Sequence, residues 1–226
     1  MEILAEIPLQ LNEGEVLAHL RVPPESGDAL QVRKLMDQVL AAARPKAAYR
    51  VCYVGERGAD TVEIEGITFT SRVLRVNLDK VHRVFAYVAT CGSELDEVDV
   101  GGDPLREYWL AEMKVMALRA ASTYLKEHLD ATYQPGKMSA MAPGSLQDWP
   151  ITQQTHLFAL LGNVEQAIGV RLTDSFLMVP VKSLSGIYFP TEVTFQSCQL
   201  CPRPDCPGRS APYEPHLWEE RYVERS

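Results

Sequence analysis

Three of the five cysteines fall within nine residues near the C-terminus, in the run SCQLCPRPDCPGR. Cys198, Cys201 and Cys206 follow a C-x2-C-x4-C spacing. Thiolates two residues apart on a tight loop can converge on one metal ion or cluster, and a third supplies another corner. Pro202 and Pro207 follow two of these cysteines, stiffening the loop and removing backbone donors. The run holds few apolar residues, so core packing explains it poorly. A metal site needs a fourth ligand. Cys91, Cys52 and His216 are the candidates, with Cys91 preferred because a Cys-Gly turn ends a strand there. Spacing does not separate zinc from an iron–sulfur cluster. A labile redox role for the thiols and inert cysteines are the other two readings.

A second constellation runs from Met138 to Phe189. Pro143-Gly144-Ser145 reads as a tight turn in which glycine allows close backbone approach. Asp148-Trp149-Pro150 then leads into a helix whose first N–H groups could meet an anion, with Trp149 as a packing anchor. Lys182-Ser183-Leu184-Ser185-Gly186 sets a cation and two hydroxyls beside another glycine. On spacing alone the plain reading of this stretch is two turns and a capped helix. Other motifs fail. Gly136-Lys137 imitates the end of a phosphate loop, but Ala131 stands at its first glycine and Met138 at its hydroxyl residue. The five histidines, His19, His82, His128, His156 and His216, show no paired ligand spacing.

The elements that must position these residues are mixed. Residues 2–10 suggest an opening strand, and Asn12 can cap a short helix that Pro23-Pro24 stops. Residues 29–43 repeat apolar side chains at helical spacing, among them Leu30, Leu35 and Leu40. Strands are expected at 49–54 and 84–90, and a strand or hairpin turning at Gly66 over 61–70. Short helices are expected within 71–80 and at 93–98. Pro104 suits the first turn of a long helix to about residue 130. Its expected core stripe is Leu105, Trp109, Met113, Met116, Ala120 and Tyr124. Residues 131–150 read as a connection, Thr152 as the cap of a helix ended by Gly162-Asn163, and 164–168 as a short turn. Short strands are expected at 175–179 and 185–189. Strands and helices do not alternate regularly, which favours an α+β fold over a doubly wound sheet.

Composition removes several classes of function. The chain has 226 residues, 46% hydrophobic and 23% charged, enough for a substantial core without disulfide staples. Twenty-two Lys and Arg against thirty Asp and Glu leave a net charge of −8, which argues against a nucleic-acid-binding face. No apolar run reaches membrane-spanning length, and the acidic N-terminus is unlike a signal peptide. A cytoplasmic location, with reduced thiols, is the resulting expectation.

The stretch from Glu94 to Phe189, most strongly PG…DWP…Q…LF.LL…G..LT.SF.M.P..S.SG.YF, resembles the AdoMet-binding reactivation domain of cobalamin-dependent methionine synthase. A weaker likeness extends upstream through VFAYVATCGSELDE. The resemblance implies an α+β fold with a twisted antiparallel sheet and flanking helices. It also implies a role in reactivating, by reduction or remethylation, the corrinoid of a methyltransferase. The corrinoid motif D-x-H-x-x-G is absent, so cobalamin would arrive on a partner, a corrinoid-binding protein or methyltransferase. Gly144, Ser145, Ser185, Gly186 and Tyr188 are the positions that fall on the family's ligand groove. Within the family motif R-x-x-x-G-Y, Ala140 stands at the arginine and Ser145 at the tyrosine, which weakens the expectation of AdoMet itself. The organisation expected is an activation-domain-like unit over 1–190 followed by a cysteine-rich segment over 191–226. The competing reading is a metal-clipped module that docks on a corrinoid protein without redox or methyl-transfer chemistry.

Overall fold

A computed structural model describes residues 1–206 and 208–223, so Pro207 of the cysteine run lies outside the described residues. Among the described residues the strands are β1 (Glu2–Leu4), β2 (Lys46–Arg57), β3 (Thr61–Ile64), β4 (Ile67–Thr70), β5 (Arg83–Thr90), β6 (Met138–Met141), β7 (Arg171–Leu172), β8 (Met178–Val179) and β9 (Ser183–Pro190). The helices are α1 (Glu13–Leu20), α2 (Gly27–Ala42), α3 (Arg72–Asn77), α4 (Pro104–Tyr133), α5 (Gln154–Leu161), α6 (Val164–Ile168) and α7 (Leu217–Arg221). Seven strands make one sheet in the order β4-β3-β2-β5-β9-β6, with β1 also on β2, and every pairing is antiparallel. The α+β expectation with an antiparallel sheet therefore holds.

Alternation along β2, β5 and β9 sends successive side chains to opposite faces. One face carries Ala48, Cys52, Val84, Ala86, Val88 and Ile187 against α3, α5 and α6. The other carries Ala47, Tyr49, Phe85, Tyr87 and Ala89 against Ala121, Leu125 and Leu129 of α4. Beyond the end of β5, a further apolar cluster joins α1, α2 and the first half of α4 around Trp109 and Met113. The hairpin between β3 and β4 turns at Glu65 and Gly66, both at positive φ (51° and 78°), as a two-residue hairpin turn requires.

Helix starts follow their capping residues. Asn12 accepts the Glu15 N–H at 3.1 Å, Ser26 accepts that of Ala29 at 3.2 Å, and Asp103 accepts that of Leu105 at 2.9 Å just before Pro104. Thr152 does not cap α5; it lies in a 3-10 turn over Ile151–Gln153. The cap position is Gln153, whose side chain instead pairs both backbone groups of Thr70, at 2.9 and 2.7 Å.

Two other expectations need correction. The connection expected over 131–150 contains β6, whose residues alternate between part-buried and buried. The buried stripe of α4 runs through Trp109, Leu110, Met113, Ala117, Ala121, Leu125 and Leu129, whereas Leu105 is 47% exposed and Tyr124 37% exposed. Alanines in mid-stripe let a long helix lie close to the sheet, and a stripe read from large side chains misses them. Leu125→Ala should lower unfolding free energy by about 2–5 kcal/mol, and Leu105→Ala by under about 0.5 kcal/mol, both readable by urea denaturation.

Candidate functional site

The strongest motif of the sequence folds into a turn braced from two sides. Gly144, at φ 81°, donates its N–H to the Trp149 carbonyl at 2.7 Å. A Cβ at Gly144 would stand 2.8 Å from Ile151 Cδ1, so both the backbone angle and the packing select glycine. The Ser145 hydroxyl donates to the Ala142 carbonyl at 2.6 Å and lies 3.2 Å from the Ser197 hydroxyl. The ring of Trp149 is fully buried, edge-on to Phe69 with centroids 5.9 Å apart.

The Asp148-Trp149-Pro150 run leads into a helical segment, the 3-10 turn Ile151–Gln153 and then α5. Asp148 has a second role that the sequence does not announce, as an anion at the start of α3. Its carboxylate accepts the N–H groups of Arg72 at 3.2 Å and Val73 at 3.0 Å, and the hydroxyl of Ser71. A carboxylate at a helix N-terminus meets unpaired donors and the positive end of the dipole. The turn is thereby tied to the hairpin side of the sheet.

The five groove candidates do not share one face. Ser185 pairs in register with Val88 and lines a cavity of about 360 Å³ with Ala142, Pro143, Ile151, Gln154 and Ser183. Phe176, Leu177, Met178, Val181 and Leu184 complete its wall. Gly186 and Tyr188 point to the opposite, α4 face. Tyr188 stacks on Tyr87 with centroids 4.3 Å apart and planes 16° apart, and burial raises the pKa of both phenols. A Cβ at Gly186 would come within 3.0 Å of the Tyr87 hydroxyl oxygen and 2.7 Å of the Met141 carbonyl oxygen. Ser185 thus lines the cavity, Gly144 and Ser145 sit in the turn that follows its Ala142 and Pro143, and Gly186 and Tyr188 belong with the stacked aromatic pair on the other face. Lys182 lines a neighbouring cavity of about 330 Å³ with Asp96, Glu107 and Lys114, so its surroundings are of mixed charge.

AdoMet meets no charged side chain in the cavity that Ser185 lines. Its ammonium and carboxylate would need charged or strongly polar partners, yet the cavity wall holds only Ser183, Ser185 and Gln154 as polar side chains. On the other face, Ala140 pairs with Tyr188 and offers a methyl group at the family's arginine position.

The cysteines separate as well. Cys91 is buried beyond the end of β5 among α1, α2 and α4 residues. Cys198, Cys201 and Cys206 are half-buried on the tail, where Leu200 packs onto the cluster of the other sheet face. Cys52 is buried within that cluster, and His216 sits at the start of α7. Among the described residues, no three His, Cys, Asp or Glu side chains converge as a metal site. Burial pushes the thiols of Cys52 and Cys91 up to about 11. Cys198 moves the other way: the hydroxyl and then the N–H of Ser210, each 3.4 Å from its sulfur, lower its pKa. That donor pair, twelve residues downstream of the cysteine, carried no signal in the sequence.

Comparison with known proteins bears on the same region. Residues 124–197 match the family model described as vitamin B12 dependent methionine synthase, activation domain. That match spans about a third of the chain. The matched segment runs from the second half of α4 through β6, the Gly144 turn, α5 to β9 and the start of the tail. A solved structure, the crystal structure of the MetH reactivation domain bound to AdoHcy, has the same fold, with a TM-score of 0.59 at 17% identity. The likeness covers 84% of this chain and 73% of that one. No curated protein sequence matches. Among the described residues no helix of this activation-domain-like chain is long and apolar enough to cross a membrane.

Two measurements check the site as described. Asp148→Ala leaves the N–H groups of Arg72 and Val73 without their acceptor, while Ser71 still caps Leu74, and should cost about 1–3 kcal/mol in urea unfolding. Because its thiolate is favoured, Cys198 should alkylate with iodoacetamide at lower pH than an ordinary thiol near 8.5. Ser210→Ala should move that pH profile upward, while Cys52 and Cys91 stay unlabelled in the native protein.

Proposed function

We propose that the chain is an accessory protein for a cobalamin-dependent methyltransferase of the methionine synthase type, docking over a corrinoid that the partner holds and supporting its reactivation. The family match over residues 124–197 supports the class of partner. The observation that carries the docking surface is the apolar rim inside that match. Leu177 is 63% exposed, Val181 80% and Ile151 39%, and all three border the cavity beneath the Gly144 turn. Exposed large apolar side chains grouped around a concavity mark a binding surface.

The corrinoid, when a partner presents it, supplies the cobalt chemistry; this chain supplies shape and exclusion of water. Leu177 and Val181 would meet the apolar edge of a macrocycle, and the Gly144 turn, rigid through its bond to Trp149, would set how closely the ring approaches. Ser183 and Ser185 stand deeper in the cavity as hydroxyl partners for polar substituents. Docking without methyl donation is favoured over docking with it, because the residues at the family's AdoMet positions offer that molecule no ionic partner.

The test is isothermal titration of the full-length chain against the cobalamin-binding module of a methionine synthase loaded with cob(II)alamin. Association is expected, with Leu177→Asp and Val181→Asp each weakening it at least about tenfold and leaving thermal stability unchanged. Absence of binding by the wild-type chain would reject the reading. Equal affinity for all three proteins would reject the rim.

A further inference from the structure

The tail loop is wrapped around an arginine. The Arg209 guanidinium donates to the carbonyl oxygens of Cys198 and Cys201, both at 3.2 Å, of Ala211 at 3.3 Å, and of Arg203. A fixed cation therefore already gathers the loop backbone, and the three thiols around it remain half-buried. Within the wrap, the Cys201 N–H donates to the Cys198 carbonyl at 3.2 Å. That bond closes a turn over Cys198-Gln199-Leu200-Cys201. Such a turn keeps its end Cα atoms within about 7 Å, and a disulfide spans about 4.4–6.8 Å between Cα atoms. Cys198 also receives both Ser210 donors on its sulfur, the environment that marks an attacking thiol.

We propose that Cys198 and Cys201 form a dithiol–disulfide exchange site for small, exposed disulfides of the glutathione type. Cys198 attacks one sulfur of the disulfide, forming a mixed disulfide and releasing one small thiolate. Cys201 gives its proton to solvent and attacks the Cys198 sulfur, releasing the second small thiolate and closing the Cys198–Cys201 bond. The two protein thiols lose two electrons, and the small disulfide gains them as two thiols. Ser197, adjacent to Cys198, lies 3.2 Å from Ser145 through their hydroxyls, so the exchange site abuts the Gly144 turn. The chemistry does not rest on the corrinoid reading, because every readout is a thiol.

The test incubates the reduced full-length protein with oxidised glutathione under argon, quenches with acid, alkylates, and maps the cysteines by peptide mass spectrometry. The expected product is a Cys198–Cys201 disulfide with two glutathiones released per chain and Cys52 and Cys91 still reduced. Cys201→Ala should stall at a Cys198–glutathione adduct, and Cys198→Ala should slow glutathione consumption at least about tenfold. Circular dichroism of both variants, matched to wild type, keeps misfolding from imitating these results. A disulfide or first adduct at Cys206, or a wild-type chain that stops at the mixed disulfide, would overturn the assignment. Stoichiometric zinc or iron on anaerobically purified protein, retained against a chelator, would overturn it too.

Discussion

The ring of Tyr87 lies across Gly186, and this contact determines how β9 can serve any site. Strand β9 runs between β5 and β6, so its backbone is bonded on both sides and its side chains have only two directions. Glycine at position 186 leaves room for the Tyr87 ring to reach Tyr188 and stack there. Ser185 and Ile187 are then forced to the other face, one into a cavity and one into the core. A one-residue slip would exchange these roles along the whole strand. The aromatic pair occupies the α4 side of β9, and the cavity by the Gly144 turn lies where Ser185 faces the other way.

Asp148 gives the turn its second fixed point. One carboxylate holds the start of α3, while the Gly144–Trp149 backbone bond holds the loop that carries it. The segments before and after the long helix are thus joined through a few charge-assisted bonds to backbone donors, which are stronger than neutral ones. The Ser145–Ser197 approach adds the tail to the same junction. Groove, hairpin and tail therefore meet around one turn, which lies inside the segment matched by the family model.

Local chemistry in the sequence located much of this fold. Asn12, Pro104 and Gly162 marked helix ends that the structure keeps, and the β-rich run before Cys91 became the central strand β5. What stayed hidden depends on long-range partners. Strand β6, Met-Ser-Ala-Met, has little apolar contrast and exists because β9 pairs with it. Residues spaced Ser185-Gly186-x-Tyr188 look like one patch in a motif, yet strand alternation divides them. The cysteine spacing is legible in the sequence, but the bonds that Arg209 and Ser210 make to Cys198 are not, because no spacing rule supplies their placement.

After β9 the chain doubles back beside β6. Thr191 carries the β9–β6 ladder one rung further by donating its N–H to the Lys137 carbonyl at 2.9 Å, and Phe195 then donates its own to the Ser139 hydroxyl at 2.7 Å. Phe195 and Tyr222 then bury their rings against the sheet's core, and the Tyr222 hydroxyl lies 3.2 Å from Asn77 Oδ1. Strand β6 is the last in its sheet, and a bare final strand is a template on which another chain can add. Here the segment after β9 reaches β6 through the Phe195 N–H on the Ser139 hydroxyl and not through a ladder, so it meets the border without extending the sheet. The cysteine tail is, in this sense, a selvedge: it ends the sheet's capacity to grow, and a chain cut before Thr191 would regain it.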